Sequence, residues 1–457
     1  MAGSRCEALD KALQAARWRP EDLARAVNDR LRTLQLTSRQ VHPKTPYKWL
    51  NGKRPYRPLP DIIAAVLSDQ LQRPVKAADI WPELADSASV YKPADSGLLL
   101  PWGPEGAGQL IAFIAEQDFL KTYDQLLPVS GSALLGPAHH WLNSEPGYIA
   151  SVLSGDRITE AFMRRVERSV ADFHHLDDDE GGGGIALEWA NQEFRFVSKL
   201  INNGTYDDAI GRRLYTALAQ LGQVAGWMAY DAGRHGLAQR YWFAGMHAAR
   251  AADDRALAAM ILSCMAFQAT YAGRPQDAIT LLETAEAGAA RRATPTVLAM
   301  LRAWKARAYA ELGDEAAFGR TLNDADDIYQ YSNPVDDPVW IDWMIQPSLT
   351  SEIGKAWLQL NRPDKARPIL TEGINEAVPR DKVLYLAFTA QAHLLDDQLD
   401  AAATVACEAT DIAATVNTPR GVGFLKQVRE AMPAKSAAVR ELDEKLTPLI
   451  HTKLPAA

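Results

Sequence analysis

Cysteine is scarce: Cys6, Cys264 and Cys407 are the only three in 457 residues, and they stand far apart. Their number and spacing exclude a disulfide framework and a paired-cysteine metal site, and they fit a reducing cytoplasm. Nowhere do eighteen apolar residues follow one another, which argues against a membrane span. The opening "MAGSRCEALDKALQAAR" lacks the apolar stretch of a secretory signal. Gly-x-Ser-x-Gly, His-Glu-x-x-His and Cys-x-x-Cys are missing too. An enzyme reading therefore has no catalytic residue to stand on, and neither metal nor cofactor is expected.

What is present is a basic head on an acidic body. Residues 1–60 hold 13 of the 49 Lys and Arg but only 5 of the 57 Asp and Glu, leaving the rest at 36 against 52. Such an asymmetry suggests that the head meets a polyanion. Periodicity gives it helices. Ala8, Leu9, Ala12, Leu13 and Ala16 share one helical face, and Pro20, Glu21 and Asp22 open a second helix whose stripe is Leu23, Ala24, Val27, Leu31 and Leu34. In "KTPYKWLNGKRP" Thr45 is expected to cap a short helix that Asn51-Gly52 ends. With Trp49 and Leu50 turned inward, Lys44, Thr45, Tyr47 and Lys48 would face outward at the end that meets base edges in helix-turn-helix docking. Lys53, Arg54 and Arg57 would neutralise phosphates. The connection over residues 36–44 is longer than a compact turn of that motif.

Residues 82–108 are rich in Pro, Gly and Ser and read as a linker, and 109–184 as a helical connector. From 185 to 457 the chain repeats. Anchored on Gly233, Gly273, Gly313, Asn361 and Asp397, small residues recur seven before and five and twelve after, with Phe318 the exception. The anchors are 40, 40, 48 and 36 residues apart, somewhat longer than the 34 of a tetratricopeptide (TPR) unit of helix-turn-helix. The expected fold is all-α: a helix-turn-helix bundle over 1–81, then linker and connector, then a TPR-like α-solenoid with an extended concave surface.

The segments "KWLNGKRP", "FHHLDDDEGGG", "GWMAYDAGRHGLAQRYWFAGMHAARAADDRAL", "DDPVWIDW" and "TPRGVGFLKQVREAM" occur in this order. On them the chain resembles the actinobacterial regulators that join a Cro/C1-type helix-turn-helix to C-terminal tetratricopeptide-like repeats, including negative regulators of Streptomyces differentiation and antibiotic production. The resemblance implies a non-enzymatic, cytoplasmic transcriptional regulator and tolerates the long 36–44 connection. It assigns Trp49, Leu50 and Gly52 to the end of the recognition helix and Lys53, Arg54 and Pro55 to its basic exit. Pro43 and Pro46 depart from the pattern.

Remaining candidates divide into core and groove. His139-His140 and His174-His175 have no ligand-spaced partners and read as surface or core, and Asp177–Asp179 as a solvated helix end. Trp227, Trp242, Trp304 and Trp357 are expected to pack between hairpins, the alternative for some of them being to line a groove for a hydrophobic peptide or small effector. The inserted "YSNPVDDPVWIDWM" would bring Trp340 and Trp343 to the concave face as partner-binding residues. The expected partners are double-stranded DNA for the head and a peptide, small effector or protein for the repeats. A homodimer would suit paired half-sites. The competing reading is a TPR interaction scaffold that does not bind DNA.

Overall fold

The computed structural model describes residues 6–33, 41–55, 59–71, 75, 77–82, 100–115, 128–144, 156–180, 184–342, 344, 346, 350–433 and 436–453. Leu34, Arg57, Trp343 and the whole stretch 116–127 lie outside them. Among the described residues there are 21 α-helices, one 3₁₀ turn and a two-residue parallel strand pair, Asp156–Arg157 with Gly204–Thr205. No described helix is long and apolar enough to cross a membrane. The chain divides into two compact units, one of residues 1–96 with 121–128 and 457, the other of 97–120 with 129–456.

The first unit holds α1 (Glu7–Ala16), α2 (Pro20–Thr33), α3 (Thr45–Leu50), α4 (Leu59–Leu71) and α5 (Ala77–Ile80). Its core is Leu9, Leu13, Leu23, Val27, Leu31, Trp49, Ile62, Ile63, Leu67 and Trp81, drawn from the apolar stripes of successive helices. Arg17, at φ 55°, turns α1 into α2. The chain enters α3 under the control of Asn28, whose amide donates to the Val41 carbonyl at 2.9 Å and accepts from the Val41 N–H at 2.7 Å. Helix α3 starts one residue earlier than expected. Lys44 is its N-cap, without a side-chain capping bond, and Thr45 is its first residue.

In the second unit α6 (Pro104–Ile114), α7 (Ser132–Asn143), α8 (Glu160–Glu180) and α9 (Gly184–Asn203) precede six helical hairpins. These pair α10 (Asp208–Asp231) with α11 (His235–Ala251), α12 (Arg255–Tyr271) with α13 (Pro275–Ala289), and α14 (Pro295–Glu311) with α15 (Glu315–Tyr329). After the 3₁₀ turn Val339–Ile341 come α16 (Ser351–Gln359) with α17 (Pro363–Glu376), α18 (Pro379–Leu395) with α19 (Leu399–Thr415), and α20 (Pro419–Glu430) with α21 (Ala437–Lys453). The first helices of successive hairpins touch one another as well. This is the stacking of a TPR-like solenoid, in which each unit buries a face against the next.

The five sequence anchors mark one turn device. Gly233, Gly273, Gly313, Asn361 and Asp397 all have φ between 56° and 77°. In each case the following N–H reaches five residues back: Arg234 to the Ala229 carbonyl, Arg274 to Ala269, Asp314 to Tyr309, Arg362 to Trp357 and Gln398 to His393. That is the Schellman closure, which satisfies end carbonyls and needs a residue tolerant of left-handed backbone. The small residues around the anchors permit close approach. A Cβ at Gly226 would overlap the Trp242 indole, and one at Gly354 would lie 2.6 Å from Leu370 Cδ2.

Asn361 is exposed, so its conformation can be tested apart from packing. Asn361→Ala is expected to lower stability by about 1 kcal/mol, the cost of a left-handed residue that carries an ordinary Cβ. Asn361→Gly should match or exceed the parent. Urea unfolding followed by circular dichroism measures both, and equal losses would show that the Asn side chain, not the backbone, matters.

Candidate functional site

The first helices of the hairpins, together with α8 and the Val339–Ile341 turn, enclose a groove of about 1350 Å³ in the second unit. A solenoid places one helix of each hairpin on its inner side, so residues at equivalent turns of successive helices line up. Trp227 of α10, Phe267 of α12 and Trp304 of α14 form such a row, with ring centroids 5.0 Å and 5.7 Å apart in edge-on pairs. Trp227 and Trp304, expected to pack between hairpins, do so through Phe267 and line the groove as well. Trp242 and Trp357 do pack within the repeats, against Gly226 and Phe318 respectively. Trp340 is 5 % exposed and also lines the groove.

Beside the aromatic row lies a chain of buried charges. Arg380 Nη1 is 3.2 Å from Asp177 Oδ2, donates to the Asp177 carbonyl at 2.5 Å, and stands 3.7 Å from Asp231 Oδ2. Arg420 Nε is 3.5 Å from Asp231 Oδ1, and its guanidinium lies over the Trp227 and Phe267 rings at 6.0 and 5.8 Å. Asp177 is therefore no solvated helix end: at 8 % exposure it is buried and paired with an arginine from α18. Next to this chain the Tyr271 hydroxyl donates to Glu352 at 2.6 Å, with Arg307 3.7 Å away. Burial and the Glu352 carboxylate hold the Tyr271 phenol well above its usual pKa.

The groove's other end is built on α8 and the start of α10. Arg213 grips Glu167 through Nε and Nη2, both at 2.7 Å, and Glu160 through Nη1 at 2.6 Å, which raises its pKa further. Between the ends, burial pushes the His174 imidazole down to about 4 and the Cys264 thiol up to about 12. Both are neutral near pH 7, and the protonated thiol is no activated nucleophile. No group of three or more His, Cys, Asp or Glu among the described residues could hold a metal. The arrangement suits binding: a stacked apolar floor with fixed charges around it.

In the first unit Lys44, Lys48, Lys53 and Arg54 are all exposed, whereas Pro46, Trp49, Leu50 and Pro55 are buried. Gly52, at φ 86°, folds the chain back so that the Lys53 N–H bonds the Lys48 carbonyl at 2.9 Å. Thr45 is half-buried. Tyr47 is 44 % exposed, and its hydroxyl donates to Glu21 at 2.8 Å; that carboxylate raises the phenol pKa. An acidic side chain thus sits beside the expected base-reading face.

Residues 9–81 match the model of the SP15 N-terminal domain family, a stretch that spans α1 to α5. No curated protein matches the chain significantly. Among solved structures it is similar to a chain in the crystal structure of the APC/C hetero-tetramer Cut9-Hcn1, with 14% identity over 85% of this chain and 75% of that one. The TM-score is 0.30, too low to bear on function.

The buried charge chain predicts coupling. Arg380→Met should destabilise the protein by about 3 kcal/mol, because it leaves carboxylates at the groove floor undercompensated. Combined with Asp177→Asn it should recover at least about 1 kcal/mol in a double-mutant cycle. Strict additivity would mean that the two side chains do not act as a pair.

Proposed function

We propose that this protein is a helical-repeat receptor whose inner groove takes a peptide, a small effector or a segment of a partner protein. One observation carries the reading. Residues from α8, α10, α18 and α20, spread in sequence from Arg164 to Arg420, converge to line a single groove with an aromatic row and partly open guanidinium groups. Folding alone does not require buried charges there, since well-packed apolar residues in place of a buried ion pair are often as stable or more so. The volume exceeds the range of about 300–1000 Å³ usual for drug-sized ligands, which favours an extended guest.

The test uses the intact protein exposed to cell extract, washed and denatured, with released compounds identified by mass spectrometry. Trp227→Ala combined with Arg420→Met is expected to lower the captured ligand at least about tenfold, the equivalent of roughly 1.4 kcal/mol. The same compounds in the same amounts from both proteins would rule the groove out as the receptor.

A second reading adds DNA binding by the first unit, as in the regulators of differentiation and secondary metabolism that the sequence resembles. It is favoured by the exposure of Lys44, Lys48, Lys53 and Arg54 around α3. Together they would neutralise about four phosphates, so retention of duplex fragments by the whole chain should fall about a hundredfold between 50 and 200 mM salt. Lys53→Ala with Arg54→Ala should weaken all sequences alike, while a change at Lys48 should alter which are kept. Salt-independent retention, or none across genomic fragments, would leave an interaction scaffold. A homodimer belongs to this second reading, because paired half-sites call for two heads.

A further inference from the structure

The groove is electrically polar along its length. Helices α8 and α10 run side by side in the same direction: Arg213 near the start of α10 holds Glu160 and Glu167 near the start of α8, and Arg380 spans Asp177 and Asp231 near their ends. At the starting end Arg164, Arg168 and Arg213 line the groove with Glu167, and Glu160 pairs with both Arg164 and Arg213, so that three guanidinium groups meet two carboxylates. Arg168 donates to the Arg164 carbonyl and has no ion-pair partner among the described residues. At the far end Asp177, Asp231, Glu352, Glu372 and Asp381 line the groove with Arg380 and Arg420, and Arg307 stands 3.7 Å from Glu352, so that the carboxylates still outnumber the guanidinium groups. Glu372 is exposed there and has no ion-pair partner among the described residues.

The helices set the distance between these poles. Thirteen residues separate Arg164 from Asp177, and eighteen separate Arg213 from Asp231. At 1.5 Å rise per residue that is about 20–27 Å. An extended peptide advances about 3.3 Å per residue, so roughly six to eight residues reach from one pole to the other. The wall between the poles offers an apolar floor, with Trp227 on α10 and the Phe267 and Trp304 rings beside it.

We infer that the groove's ligand is an extended oligopeptide of about six to eight residues with a cationic group at one end and an anionic group at the other. The cation lies at the α16–α18 pole and the anion at the Arg164–Arg168–Arg213 pole, which fixes the direction of the chain. This inference rests on the reading of the groove as a receptor. An unblocked peptide carries these charges on its own termini, and a longer chain can supply them from Lys or Arg and from Asp or Glu side chains. A small effector with a single charge would occupy one pole and leave the other unused.

The experiment uses the intact protein and a synthetic random-sequence heptapeptide mixture, offered with free ends or with acetylated and amidated ends, beside a free-ended tripeptide mixture. Bound peptides are separated by gel filtration and sequenced by mass spectrometry. Free-ended heptapeptides should be retained about tenfold more than blocked ones, a difference of roughly 1.4 kcal/mol, with tripeptides at background. Retained blocked peptides that carry basic and acidic side chains at opposite ends would also support the two poles and assign the charges to side chains. Arg164→Glu with Arg168→Glu, both at exposed positions, should lower retention of peptides with a free carboxylate about tenfold and spare those amidated only at that end. Equal retention of blocked and free mixtures without any charge pattern would overturn the inference while the receptor reading stands. Retention of no heptapeptide, together with capture of a different compound from extract, would overturn it too and leave the groove a receptor for something else.

Discussion

The geometry of the groove depends on two arginines sharing one aspartate. Asp231, at the end of α10, faces Arg380 from α18 and Arg420 from α20, and Arg380 continues to Asp177 at the end of α8. Repeats otherwise contact their neighbours, and their curvature accumulates small rotations. An ion chain between the first and the last hairpins removes that freedom. It holds the inner helices at a fixed separation, which lets three rings from three hairpins form one surface. The carboxylates are cut off from water, so the chain is stable only while each charge keeps its partners. Removing one member is costly in a way that removing a surface pair is not.

The same constraint explains why the groove is not filled. Most buried side chains elsewhere in the repeats are apolar, as the run of buried alanines in α10 to α14 shows, with Gln239, Arg240 and His247 of α11 among the exceptions. Those surfaces close because nothing prevents close approach; a Cβ at Gly222 would already meet the Gly245 backbone at 3.0 Å. Along the inner side, by contrast, long charged side chains and indoles stand where alanines would allow collapse. Arg420 laid over Trp227 and Phe267 keeps a planar cation on an apolar surface, an arrangement that stabilises both without drying the space in front of them. The cavity is thus held open by the chemistry that would also recognise a guest.

How much of this was legible in the chain follows from the range of each interaction. The hairpin turns were readable because left-handed closure is local: it restricts the residue type at the anchor and the size of residues within about twelve positions. The anchors therefore stand at Gly233, Gly273, Gly313, Asn361 and Asp397 in sequence and in structure alike. The head's inward Trp49 and Leu50 were readable for the same reason, since one turn of helix fixes which side chains share a face. The cap was misplaced by one residue, because Thr45 has a capping side chain and the helix starts without using one.

The groove was mostly hidden. Asp177 read as the solvated end of a helix because its neighbours are acidic, and its partner Arg380 lies 203 residues further on. Nothing within a helical turn of Asp231 or Arg420 announces that they meet. Tryptophans at helical spacing are equally consistent with a core and with a lined cavity, and only the stacking of inner helices separates Trp242, which fills a glycine notch, from Trp227, which does not. Periodicity reports which face of an element is covered and stays silent on whether that cover is another helix or a ligand. Charged residues interrupting an inner apolar face are the signal that could have made the distinction, because a solenoid has no packing reason to place guanidinium groups there.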